Sequence, residues 1–98
     1  MHVLTVCYGH PADPAEFDAY YTSTHVPLAE KIPGMTSYTY RHCVSLDGSQ
    51  PPYHMVAELS FPSQEAMGAA LTSPQAQAAT GDVPNFATGG VTMFVAYD

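Results

Sequence analysis

Seven tyrosines and five histidines are the side chains most able to handle protons or orient a ligand in this 98-residue chain. His25 is the sharpest of them. It follows Tyr21 by four positions, which on a helix places the two side chains about 40° apart on one face. Pro27, two residues on, lacks an amide hydrogen and biases Val26 away from helical backbone, so a break is expected just after His25. The carbonyls freed there would fix the imidazole tautomer. A neutral imidazole so held can take a proton from carbon or oxygen and return it, which is enough for enolisation, cyclisation, dehydration or decarboxylation without a cofactor. The competing reading is a histidine that caps the last turn and does nothing else.

Alternation along the strands puts Tyr8, Tyr38, Tyr40, Tyr97 and His42 on the helix-facing side of a sheet, where Tyr21 and His25 also point. Buried hydroxyls and imidazoles need hydrogen-bond partners. Their convergence therefore predicts a partly hydrated pocket between helices and sheet, suited to a small apolar or aromatic ligand. In that pocket His25 is the catalytic candidate, and Tyr21, Tyr40, His42, Tyr8 and Tyr38 are candidates for positioning substrate. Taken singly, each tyrosine is equally an ordinary residue of the core edge.

Other chemistries find less support. No H-x-x-x-H or H-x-H spacing occurs, and alternation sends His42 and His54 to opposite faces, so no metal site is expected. Hydrolase, P-loop and dinucleotide signatures are absent. Cys7 and Cys43 have no cationic activator nearby in sequence and read as free thiols of a reducing compartment.

The elements that must hold these residues are legible as an alternation of strand and helix. His2 to Tyr8 is a strand ended by Gly9-His10-Pro11. Asp13, Pro14 and Glu16 form a capping box at the start of a helix. Ile32-Pro33-Gly34 ends that segment, Ser37 to Leu46 is a second strand, and residues 47–52 are a hairpin loop before a third strand, Tyr53 to Phe61. Ser63 caps a second helix, Ser73-Pro74 restarts a helical turn running out at Gly81, and Val91 to Tyr97 is the last strand.

The order β-α-β-β-α-β closes as a ferredoxin-like α+β fold, a four-stranded antiparallel sheet with both helices on one face. A symmetric hairpin loop sets Leu46 opposite Tyr53 and Arg41 opposite Glu58. The face away from the helices then carries Thr39, Arg41, Cys43, His54, Val56, Glu58 and Ser60, joined by either Val3, Thr5 and Cys7 or Phe94 and Ala96. That mixture is too apolar for solvent and too polar for a monomer's core, and a homodimer packing these faces into a barrel accounts for it. The alternative is a sheet simply left exposed.

Composition supports one domain with one core: 46% of residues are hydrophobic and 11% charged. Nine acidic side chains against two basic ones give a formal charge of −7, unsuited to phosphate backbones or an anionic membrane surface. No apolar stretch approaches the ~20 residues of a bilayer span and the amino terminus lacks a basic segment, so the expectation is a soluble cytoplasmic protein.

The block Tyr20-Tyr21-x-x-x-His25-x-Pro27-Leu28, then Ile32-Pro33-Gly34 and Tyr38, resembles the EthD family of small dimeric α+β barrel proteins. The likeness continues through Tyr53, Ala57-Glu58, Phe61, Ser63, Glu65-Ala66, Ser73-Pro74 and Asp82 to Asn85-Phe86. It implies the ferredoxin-like dimer already reached from patterning, and it matches His25 to the family's motif histidine. For activity it implies either a cofactor-independent decarboxylase or dehydratase acting on polyketide-like compounds, as in fungal relatives, or an accessory protein of a monooxygenase system. A haem or oxygen-handling monooxygenase of the same barrel type is a third reading, although two basic residues offer little to haem propionates. The chain departs from the family at Ala87, where an acid usually follows the Asn-Phe pair, and at His54, where an Asp often follows the strand-opening Tyr. No acid partner for His25 is therefore assigned from that loop.

Overall fold

Strand β1 (His2–Tyr8) forms the middle of the sheet in the computed structural model, which describes residues 1–98. It pairs antiparallel with β3 (Met55–Phe61) on one side and β4 (Val91–Tyr97) on the other, while β2 (Ser37–His42) pairs with β3, giving the order β2-β3-β1-β4. The helices all pack on one face, so the fold is the expected ferredoxin-like α+β arrangement. Strict alternation in β3 sends Met55, Ala57, Leu59 and Phe61 into the core and leaves Val56, Glu58 and Ser60 half-exposed on the other side.

Helix α1 (Pro14–Tyr20) begins where expected. Asp13 accepts from the Glu16 amide at 3.1 Å and Pro14 occupies the first turn, although only this half of the capping box is made. The expected break after His25 does not occur. A π-helical turn (Tyr21–His25) leads directly into α2 (Val26–Ala29), with every junction in right-handed helical backbone. The Val26 amide bonds the Tyr21 carbonyl five residues back, and this widened turn lets the chain reach Pro27 in the first turn of α2, where a missing amide hydrogen costs no helical bond. Helix α3 (Gln64–Leu71), capped by Ser63, and α4 (Pro74–Asp82), capped by Ser73, complete the layer, followed by a 3₁₀ turn (Val83–Asn85).

The hairpin between β2 and β3 differs from expectation. Both strands are shorter, the loop spans 43–54, and Thr39 lies opposite Glu58 while Arg41 lies opposite Val56. The symmetric loop fails because its second half is anchored elsewhere: His10 Nε2 donates to the Pro51 carbonyl at 2.6 Å and the His54 amide to the Tyr8 carbonyl at 2.8 Å. The slip is two residues, one full period of the strand, so every side chain within the paired residues keeps its expected face. Arg41 still reaches Glu58 diagonally at 3.8 Å, an exposed contact of little energetic weight. On the helix-free face, Thr39, Glu58, Thr5 and Phe94 form one row across all four strands, so β1 and β4 both contribute to it.

Two glycines let the end of β1 cross the loop before β4. The Gly9 amide donates to the Gly90 carbonyl at 2.9 Å, and a Cβ on Gly9 or Gly89 would overlap the other segment's backbone. Neither backbone can retreat without breaking the sheet edge. Gly89→Ala should therefore destabilise the fold by at least the ~1–3 kcal/mol typical of overpacking, a drop of several degrees in melting temperature or more. Gly68→Ala, in α3 with open space around it, should raise the melting temperature slightly. Equal melting temperatures for Gly89→Ala and the parent would refute the crossing.

Candidate functional site

The π turn presents Tyr21 and His25 together to the interior, where they are 0% and 5% exposed with ring centroids 5.1 Å apart. His25 Nδ1 lies 3.0 Å from Asp82 Oδ2, at the end of α4. Asp82 Oδ1 accepts from the Tyr20 hydroxyl at 2.6 Å and from the Asn85 amide at 3.1 Å, so both carboxylate oxygens are satisfied although the side chain is buried.

The electrostatics follow from this packing. Burial holds the His25 imidazole below its ordinary value, against the opposing pull of Asp82, so the ring is neutral near pH 7. Burial alone would push the Asp82 carboxyl up, but the hydrogen bonds from Tyr20, Asn85 and His25 outweigh it and keep the group ionised. An ionised carboxylate accepting at Nδ1 makes that nitrogen the N–H. Nε2 is left as the lone-pair nitrogen, with no hydrogen bond to the protein.

His25 lines an apolar cavity of about 60 Å³ between the helices and the sheet, walled by Val6, Ile32, Ala57, Leu59, Ala76 and Ala79 among others. Tyr8, Tyr21 and Tyr38 line it too, and the Tyr21 and Tyr38 hydroxyls are 2.6 Å apart. Burial raises all three phenols, that of Tyr38 to about 12, so each remains a hydroxyl. One hydroxyl of the pair donates to the other, which leaves one O–H proton for another acceptor. Leu71 and Met93, 39% and 49% exposed, also line the cavity, so it opens to solvent beside β4.

Four of the six residues singled out from sequence, His25, Tyr8, Tyr21 and Tyr38, thus meet at one cavity. Tyr40 stands outside its lining, packed edge-on against Tyr21 with ring centroids 5.2 Å apart. His42 does not reach it. Its Nε2 is 2.9 Å from Asp18 Oδ1, as is Nε2 of His54. The expectation that His42 and His54 face opposite ways fails because the chain bends at His54, one residue before β3, and alternation does not extend to it. Tyr97 lies at the sheet's far end, stacked on His2. Asp82 was not singled out as the acid partner of His25. A signal was available, since an Asp as the last residue of a helix opposes the helix dipole and needs another reason to be there.

Residues 9–90 match the EthD domain. An 11.0 kDa protein from the thcB-thcC intergenic region of Rhodococcus erythropolis is 48% identical over 93 residues, covering 95% of this chain and 90% of that one. An ethyl tert-butyl ether d (EthD) family protein from Bacillus halodurans C-125 superposes with a TM-score of 0.93 at 26% identity, covering 100% of this chain and 98% of its own. A dimeric ferredoxin-like protein from Jannaschia sp. CCS1 shares the fold, with a TM-score of 0.71 at 14% identity over the whole of both chains. The matched span contains the π turn, the histidine with its aspartate partner and two of the four strands, and on that match the chain belongs to the EthD family.

Proposed function

We propose that this protein is an acid–base enzyme that needs no cofactor and acts on a small aromatic or polyketide-like carbonyl compound. The observation that carries this reading is the neutral His25 imidazole, oriented by Asp82, with its free Nε2 at an apolar cavity beside a tyrosine hydroxyl pair. Nε2 takes a proton from carbon next to the carbonyl. The spare O–H of the Tyr21 and Tyr38 pair donates to the enolate oxygen that forms, and Asp82 stabilises the transient imidazolium. Return of the proton to a different atom completes an isomerisation, a cyclisation or an elimination. At about 60 Å³ the cavity is smaller than the ~150 Å³ that accommodates benzene, so a ring-sized substrate extends through the open side over Met93.

The homodimer belongs to the same reading. Phe94 is 52% exposed on the helix-free face and Val95 and Met93 are exposed on the other, so β4 leaves apolar surface uncovered on both sides. The Jannaschia protein of the same fold is dimeric. A protomer packed on the helix-free face would cover Phe94. Light scattering at micromolar concentration should give twice the chain mass, and Phe94→Glu should give the single mass without loss of secondary structure. A monomeric parent would refute this interface.

Catalysis is testable without the natural substrate, because enolisation exchanges hydrogen for deuterium. With small aryl ketones in deuterated water, followed by proton NMR, the parent should accelerate exchange at the carbon next to the carbonyl. His25→Ala should lose about 10²- to 10⁴-fold, the usual worth of one general base. Tyr21→Phe should lose less and keep its fold. Variants exchanging at the parental rate would remove His25 from the chemistry and favour an accessory, ligand-binding protein.

The pH dependence follows from the lowered His25 value. As a base, His25 works when neutral, so kcat/KM for exchange should rise with pH to a plateau with its midpoint below 6.5, the imidazole's ordinary value. Stability moves in the same direction. The unfolded chain takes up a proton at this histidine below about 6.5 and the folded site resists it, so folding weakens on acidification through that range. Asp82, whose folded value lies below 3.8, adds a second loss at more acid pH. An activity midpoint above 6.5 would contradict the buried neutral imidazole.

A further inference from the structure

Outside the lining of the cavity, three elements bring metal-ligating atoms together. Asp18 projects from α1, His42 ends β2 and His54 precedes β3, and their ligand atoms all lie within 4.8 Å of one another. Both imidazoles present Nε2 to the same carboxylate oxygen, each at 2.9 Å. Two ligand atoms on a zinc-class ion, with bonds of about 2.0–2.1 Å, sit about 3.3 Å apart. To admit the ion, each imidazole–carboxylate contact opens by a few tenths of an ångström and the two Nε2 atoms, within 4.8 Å of each other, settle at the same spacing. The tautomer change is local, because each Nε2 proton that now points at Asp18 moves to Nδ1 as the lone pair turns to the metal.

The site is held in place before any ion arrives. The His54 amide donates to the Tyr8 carbonyl at 2.8 Å and the His54 carbonyl accepts from the Cys43 amide at 3.1 Å. The His54 ring packs edge-on against Phe17, itself 2% exposed, with centroids 5.0 Å apart. No lysine or arginine is paired with Asp18, and the chain carries a formal charge of −7. His42 and Asp18 are 56% and 40% exposed, so solvent can complete the coordination sphere.

We propose that Asp18, His42 and His54 bind one divalent transition-metal ion of the zinc class, with water at the remaining positions. The ion clips α1 to the β2–β3 hairpin. Through Phe17, which stacks on Tyr21 at 5.8 Å, it braces the helix that carries the candidate site without entering the cavity. The role is independent of the chemistry at His25.

The experiment uses full-length protein stripped with EDTA, titrated with zinc chloride by calorimetry and with cobalt chloride by visible absorption. One ion per chain at micromolar affinity is expected, with the intense bands of low-coordinate cobalt and a rise in melting temperature as the ion saturates. His42→Ala and Asp18→Asn, both at exposed positions where folding is not at stake, should each weaken binding at least tenfold. His54→Ala should do the same if it folds, and His2→Ala should bind like the parent. Failure of the parent to take up either ion stoichiometrically, or parental affinity in His42→Ala, overturns the proposal and leaves a purely hydrogen-bonded cluster.

Discussion

The 3.0 Å hydrogen bond between His25 and Asp82 joins two helices whose residues stand 57 apart in the chain, and much of the helical layer depends on it. Helix α4 has little of its own to hold it. Its buried residues apart from Asp82 are Ala76 and Ala79, which pack closely but remove little apolar area from water. A buried carboxylate is costly unless its lone pairs are filled, and here Tyr20, Asn85 and His25 fill them. The partners lie on the first helical segment and on the 3₁₀ turn after α4, so satisfying the charge also ties the end of α4 to that segment. Phe86 then closes the corner, its ring 4.7 Å from the His25 ring.

The π turn is the backbone counterpart of this constraint. With Pro27 ahead, a regular helix would lose a hydrogen bond in its interior and meet the proline ring with a carbonyl. Widening one turn moves that difficulty to Tyr21–His25, the segment that carries the two most buried polar rings of the helix. Phe17, Tyr21 and Phe86 surround Tyr8 with centroids 5.5 to 5.6 Å away, in tilted and edge-on contacts. The helix is thereby fixed from below by aromatic packing and from the side by Asp82. Such support keeps the His25 ring in one orientation.

What could be read from sequence was whatever depends on period and local chemistry. The strand and helix order, the Asp13 and Ser63 caps and the faces of Tyr8, Tyr38 and Met55 all follow from neighbours a few residues away. The faces survived a two-residue error in register because a strand repeats every two residues. What could not be read depends on distant anchors. His10 holding Pro51 displaces the hairpin, the bend at His54 turns that ring toward Asp18, and Asp82 meets His25 only once the sheet has brought the two halves together. Pro27 misled for another reason: a helix has more than one way to accommodate a proline, and sequence does not say which.

One compositional fact connects the two polar clusters. With only two lysines and arginines in the chain, a buried or half-buried carboxylate has little choice of partner beyond histidine, tyrosine or amide groups. Asp82 and Asp18 both take that course, Asp82 with one imidazole inside the molecule and Asp18 with two at its surface. A guanidinium or ammonium in place of His25 would carry a permanent charge into an apolar cavity and, having no lone pair to offer, could not accept a proton. Imidazole satisfies the aspartate through one nitrogen and keeps the other uncharged and basic. At the surface the same property would act in the opposite sense, since imidazoles beside a carboxylate can turn lone pairs toward a cation where fixed positive charges would repel it. The scarcity of fixed positive charge thus leaves histidine as the partner of both carboxylates, one inside the molecule and one at its surface.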